Sequence, residues 1–138
     1  MSLGHLAARF TRIIQRRFNA LLARHELPIT SEQYSLLVQL WNCNGLPQGA
    51  LAERTEKDKT TMARLAAGLE SRGIIVRLPS PGDARERLVF LTDRGKELMD
   101  QATDLARELL MEAQQGIDKK QLDVCREVLR RACLNLRT

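Results

Sequence analysis

Two groups of polar residues stand out by type and spacing: Lys59, Thr60, Thr61 and Arg64, followed further along the chain by Asp83, Arg85 and Arg87. Neither pairs a nucleophile with a base, so the chemistry they suit is recognition of an anion rather than bond-making. An ammonium and two hydroxyls in the first turn of a helix favour a phosphate, because the helix dipole and the free N–H groups there already attract negative charge. Arg64, one turn on, carries the fork that matches the two acceptors of a guanine edge. In the second group, the Asp83 carboxylate can accept from a guanidinium or from turn backbone and so set the pose of Arg85 for a minor groove, with Arg87 beside it. Glu86 and Arg77 read instead as surface ion-pair residues worth under about 1 kcal/mol.

These groups need a helix and a hairpin to present them. At 100° per residue Met62, Leu65, Ala66 and Leu69 share one sector, the face that packs. Thr60, Arg64, Ala67, Gly68 and Ser71 lie opposite. That face is short-chained apart from the arginine and includes a glycine costing roughly 1 kcal/mol relative to alanine, as suits a helix that sinks into a groove. Asp58 is its N-cap and Gly73 its left-handed end. The short helical stretch from Gln48 to Arg54 and the polar Thr55-Glu56-Lys57 precede it, giving a helix-turn-helix pattern. Ile74 to Leu78 and Arg87 to Leu91 then form two strands around a turn spanning Ser80 to Arg87. A helix fits the major groove of duplex DNA and a narrow ribbon reaches the adjacent minor groove.

The flanking segments are helical. From Leu3 to Glu26, Leu6, Phe10, Ile13, Ile14, Phe18, Leu21 and Leu22 recur at three- and four-residue steps. Thr30 or Ser31 caps a helix carrying Tyr34, Leu37, Val38 and Trp41, which ends in Asn42-Cys43-Asn44-Gly45 before Leu46-Pro47 restarts the chain. Thr92 caps a long helix broken near Gly116, and a last helix follows Asp118. The fold class expected is mainly α with a small β-hairpin wing: a winged helix at about residues 30–92 within a single domain, residues 1–138, flanked by dimerisation helices at about 3–26 and 93–137. Leu6, Phe10 and Ile13 at one end, with Val128, Leu129 and Leu136 at the other, form apolar stripes that a short chain has little else to cover.

Composition narrows the function further. The 138 residues carry a net charge of +5. Nine basic face six acidic side chains in residues 54–94, against eight and eight in 95–138, so the excess avoids the C-terminal third, as expected if the middle faces an anion. With only 4% aromatic residues the chain lacks the stacking rings of a single-strand binder. No apolar run approaches a membrane span and the N-terminus lacks a signal-peptide core, so a cytoplasmic location without membrane attachment is expected. Cys43, Cys125 and Cys133 have neither disulfide-framework nor metal-ligand spacing, and with only His5 and His25 available no metal or cofactor is expected.

The residues resemble the MarR family of bacterial winged-helix transcription regulators. The likeness runs through Leu51-Ala52-Glu53-Arg54, Lys59-Thr60-Thr61-Met62-Ala63-Arg64-Leu65, Leu69-Glu70-Ser71-Arg72-Gly73-Ile74-Ile75, the wing pattern Asp83-Ala84-Arg85, and Leu91-Thr92-Asp93-Arg94-Gly95. It implies a homodimer whose terminal helices interleave, double-stranded DNA as partner, and a ligand-responsive repressor on a pseudo-palindromic operator. A small-molecule effector would sit between the dimerisation helices and the winged helix, although no residue pattern selects one. Two departures are visible. Lys57 stands where the family usually has an apolar residue, implying a more exposed turn or an extra phosphate contact. No cysteine precedes Cys43, so the peroxide-sensing role of one branch does not transfer. Two rival readings remain, a thiol-based redox-sensing regulator and a winged helix that binds protein without DNA; an enzyme is not expected.

Overall fold

A computed structural model describes residues 1–137, which form six helices and three strands. Helix α1 (Leu3–Arg24) starts where the Ser2 hydroxyl accepts from the backbone N–H of His5 at 3.2 Å. It ends with Glu26 in the left-handed region, φ 57°, which lets the Leu27 N–H reach the Leu22 carbonyl at 2.9 Å. Of the two candidate caps for α2 (Ser31–Asn42), Thr30 takes the position. Its hydroxyl accepts from the Gln33 N–H while the Gln33 side chain accepts from the Thr30 N–H, a reciprocal capping box.

Leu46–Pro47, read from the sequence as a restart, is a strand, β1, preceding α3 (Gln48–Arg54), α4 (Lys59–Ser71), β2 (Ile75–Ser80) and β3 (Asp83–Leu91). The three strands form an antiparallel sheet in the order β1-β3-β2, with Leu46 opposite Val89 and Ile75 opposite Leu91. Two residues give no periodicity to read; only the partner strand makes them β. The wing also corrects the expected hairpin. Its strands run on until Ser80 faces Asp83, so the turn shrinks to Pro81-Gly82, and the register shifts between Pro79 and Ser80. The added rungs hold exposed polar residues without the alternation that marks a half-buried strand, so sequence pattern left them in the turn.

Thr92 caps α5 (Asp93–Ala113) through its hydroxyl, which accepts from the Gly95 N–H at 3.0 Å, and α6 (Lys119–Leu136) follows Asp118 as expected. The core lies where α1, α2, α4 and α5 meet the sheet: Leu22, Leu36, Leu37, Leu40, Leu51, Met62, Leu69, Ile74, Val89 and Met99 are fully buried. In contrast α6 buries no residue, and its Val124, Val128, Leu129 and Leu134 stand exposed together with Leu6, Phe10 and Ile13 of α1. Among the described residues, no helix is long and apolar enough to cross a membrane.

Candidate nucleic-acid interface

Helix α4 keeps the face its periodicity assigns. Met62, Leu65, Ala66 and Leu69 are buried, while Lys59, Thr60, Arg64, Ala67 and Ser71 are exposed and Thr61 is half-buried. Gly68 departs from the expected outward set. A Cβ there would lie 3.4 Å from Nε2 of Gln33, so this position faces α2, where a small residue allows close helix packing. The helix start is also more occupied than the sequence suggests. Oδ1 of Asp58 accepts from the Thr61 N–H at 2.7 Å. That bond, then one from the Thr61 hydroxyl, holds the Asp58 carboxyl below its ordinary range. An incoming anion therefore meets the Lys59 side chain and the Thr60 hydroxyl rather than a bare ring of N–H groups.

The wing returns to the same place. A cleft of about 420 Å³ opens between α3, the start of α4 and β3, and Lys59, Asp83, Arg85 and Arg87 all line it, with Gln48 and Ala63. One residue of the first group, Lys59, thus shares a concave surface with all three of the second, where three cations stand among the carboxylates of Asp83 and Glu86. Asp83 acts on backbone more than on side chain. Its Oδ1 accepts from the Arg85 N–H at 2.9 Å, while the Arg85 Nε lies 3.9 Å away and the side chain is 96% exposed. Arg85 is aimed by the turn and left free to move. Arg64 does not join the cleft. It sits on another flank of α4, 69% exposed, with Nη2 4.0 Å from Oε1 of Glu32.

What holds the wing to the helix is a residue the sequence reads as an ordinary surface ion-pair partner. Arg77 of β2 donates through Nη2 and Nε to Oε1 of Glu70 at 2.9 and 3.3 Å, through its backbone N–H to Oε2 at 3.1 Å, and through Nη1 to Oε1 of Gln48 at 3.3 Å. One guanidinium therefore ties β2 to both helices of the helix-turn-helix. Gln48 has no sequence signal for this role, because the contact joins residues far apart in the chain. Hydrogen bonds from the Arg77 side chain, opposed by desolvation and reinforced by its backbone N–H and charge, hold the Glu70 carboxyl below its ordinary value of 4.5.

A depressed carboxylate adds stability above its unfolded value and loses it as pH falls through the folded one. Glu70→Gln is therefore expected to melt below the parent at neutral pH, with the gap closing as pH drops below 4.5. Melting temperature against pH for both proteins checks this. A gap independent of pH would remove the ionised pair as its source.

The MarR family model matches residues 29–86, the segment holding the helix-turn-helix and most of the wing. The transcriptional regulator HosA of Escherichia coli O111:H- is 36% identical over 77 residues, 55% of this chain. The chain spans 57% of the length of that relative. The crystal structure of a MarR family transcriptional regulator from Silicibacter pomeroyi DSS superposes with a TM-score of 0.82 at 30% identity, covering 95% of this chain and 87% of that one. The chain belongs to the MarR family.

Within the MarR-family fold the likeness also extends to PcaV of Streptomyces coelicolor in complex with its natural ligand, with TM-score 0.82, 26% identity, and coverage of 96% of this chain and 92% of that one. The two structural matches take in the terminal helices as well as the winged helix. The departure at Lys57 has a structural answer that differs from both sequence expectations. Its side chain is only 19% exposed, and Nζ lies 3.5 Å from Oε1 of Glu32, so this MarR-family turn buries the stem and pairs the charge internally. Cys43, Cys125 and Cys133 are free and exposed.

Proposed function

We propose that the protein is a homodimeric transcriptional repressor that binds a pseudo-palindromic duplex operator and releases it in response to a small molecule. In this reading residues 1–138 form one domain, with the winged helix at about 30–92 and the dimerisation helices at about 3–26 and 93–137. The observation that supports it most is the cleft where Lys59 of α4 and Arg85 and Arg87 of the wing converge. Lys59 and Thr60 contact backbone phosphates from a helix start that Thr61 completes through its bonds to Asp58, Arg64 reaches a base edge, Arg85 enters the minor groove with Arg87 on its flank, and Asp83 shapes the wing turn. The exposed apolar faces of α1 and α6 supply the dimer contact, so that each subunit presents one winged helix to half of the site.

Two facts favour the effector. The PcaV structure holds a natural ligand, and this chain has an apolar recess of about 240 Å³ lined by Ile14, Phe18, Tyr34, Ala106, Leu109 and Leu110, between α1, α2 and α5. Tyr34 packs edge-on to Phe18 with ring centroids 4.8 Å apart. Burial raises the Tyr34 hydroxyl pKa, against the opposing charge of Arg107.

The test is fluorescence anisotropy with duplex DNA from the gene's own upstream region and with a scrambled duplex, at two salt concentrations. Tight, sequence-selective binding that weakens steeply with salt is expected through counterion release. Equal weak binding, or none at low salt, would overturn the reading in favour of a protein-binding winged helix. Arg85→Ala is expected to weaken operator binding by about tenfold, the lower part of the range for one lost groove contact, without altering the thermal melt. Unchanged affinity in that variant would remove Arg85 from the interface.

A further inference from the structure

We infer that Glu32 sets the ratio of specific to non-specific DNA binding by holding Lys57 and Arg64 in reserve; the inference rests on the DNA-binding reading above. Glu32 lies in the first turn of α2, outside the helix-turn-helix, yet one of its carboxylate oxygens lies 3.5 Å from Nζ of Lys57 and 4.0 Å from Nη2 of Arg64. Lys57 sits in the turn before α4, and Arg64 is on its exposed flank. The three side chains are 44%, 19% and 69% exposed, so the lysine stem is held by packing while the acid is partly and the arginine largely accessible.

The consequence differs for the two kinds of DNA contact. A phosphate accepts a cation from many directions, so pairing Lys57 and Arg64 with an acid mainly subtracts from sequence-independent affinity. A base edge offers the Arg64 fork two short hydrogen bonds, which outweigh a 4.0 Å contact that holds none, so the same acid subtracts less from base reading. Glu32 thus opposes phosphate binding more than it opposes base reading. Glu32 lies in the first turn of α2, where the helix dipole favours an acid.

The experiment compares the parent with Glu32→Gln on two probes: a duplex recovered from a random-sequence pool by selection on the parent protein, and a scrambled duplex of equal composition. Glu32→Gln is expected to bind the scrambled duplex about fivefold tighter, the equivalent of releasing one ion pair at 4 Å in water. Its dependence on log salt should steepen by about one for each cation that gains a phosphate. The selected duplex should change by less than about twofold, so the affinity ratio falls. Glu108→Gln, on the exposed surface of α5, makes the same charge change and should leave the ratio unaltered. Equal tightening on both duplexes, no tightening on either, or the same fall in ratio for Glu108→Gln would overturn the inference about Glu32. A parent protein that selects no sequence would overturn the DNA-binding reading itself.

Discussion

Replacing Val128 and Leu129 together by aspartate is expected to yield a folded monomer that binds a full operator at least about a hundredfold more weakly than the parent. Both residues lie on α6, which buries no residue against its own chain and whose charged residues pair locally, as Arg126 does with Asp123 and Arg130 with Glu127. An amphipathic helix in that position gains most of its stability by burying its apolar face elsewhere, because helical propensity alone is marginal at this length. Fully burying one such side chain contributes about 1.5–3 kcal/mol, and two facing copies double the number of sites. Four carboxylates in one dimer interface remove that gain and add desolvation and like-charge repulsion. Loss of avidity then follows, since each half-site is held by one winged helix alone. Sedimentation velocity and anisotropy on the same samples check the two halves of the claim. A variant that remains dimeric and binds as before would place the dimer contact elsewhere.

Gly95→Ala is expected to destabilise the fold by about 3 kcal/mol or more, the cost of overpacking a rigid site. A Cβ at this position would lie 2.2 Å from the Ile74 carbonyl oxygen and 3.2 Å from Cδ2 of Leu91. The carbonyl cannot easily move aside. It already accepts from the Thr92 N–H at 3.1 Å, while the Thr92 hydroxyl donates to the neighbouring Gly73 carbonyl at 2.6 Å and caps α5 by accepting from the Gly95 N–H. This junction joins the end of the wing to the start of α5, so a shift there displaces the wing from α4. Gly73→Ala provides the comparison. Gly73 has φ 74° but open space around its missing Cβ, so only the backbone penalty of about 1–2 kcal/mol applies. Urea midpoints for the two variants should fall in that order; equal midpoints would show that the junction yields.

The two glycines show what a sequence reveals and what it hides. Gly73 is readable because a glycine after an apolar helical stripe has a local reason, the left-handed end of a helix. Gly95 belongs to Leu91-Thr92-Asp93-Arg94-Gly95, a segment that carries the family likeness, yet its reason is a carbonyl that local pattern does not bring near. The same division runs through the interface. Lys59, Thr60 and Arg64 are legible as an exposed helix face, since the apolar residues on the other side fix the rotation of α4. That Lys59 shares a cleft with Arg85 and Arg87 while Arg64 stands apart beside Glu32 depends on how the wing folds back.

By itself the sequence determined whatever repeats or terminates locally: five of the six helices through their 3.6-residue stripes and caps, the short helix of the motif through its room between two turns, and the existence of a hairpin. It also determined which helix faces are apolar, because side-chain direction follows backbone period. Tertiary structure alone decided β1, the length of the wing strands, the tie from Arg77 to Glu70 and Gln48, the inward turn of Gly68 and the pairing of Lys57 with Glu32. Each joins residues on different elements, where the energy comes from one pairing or one close approach and leaves no periodic trace in the chain.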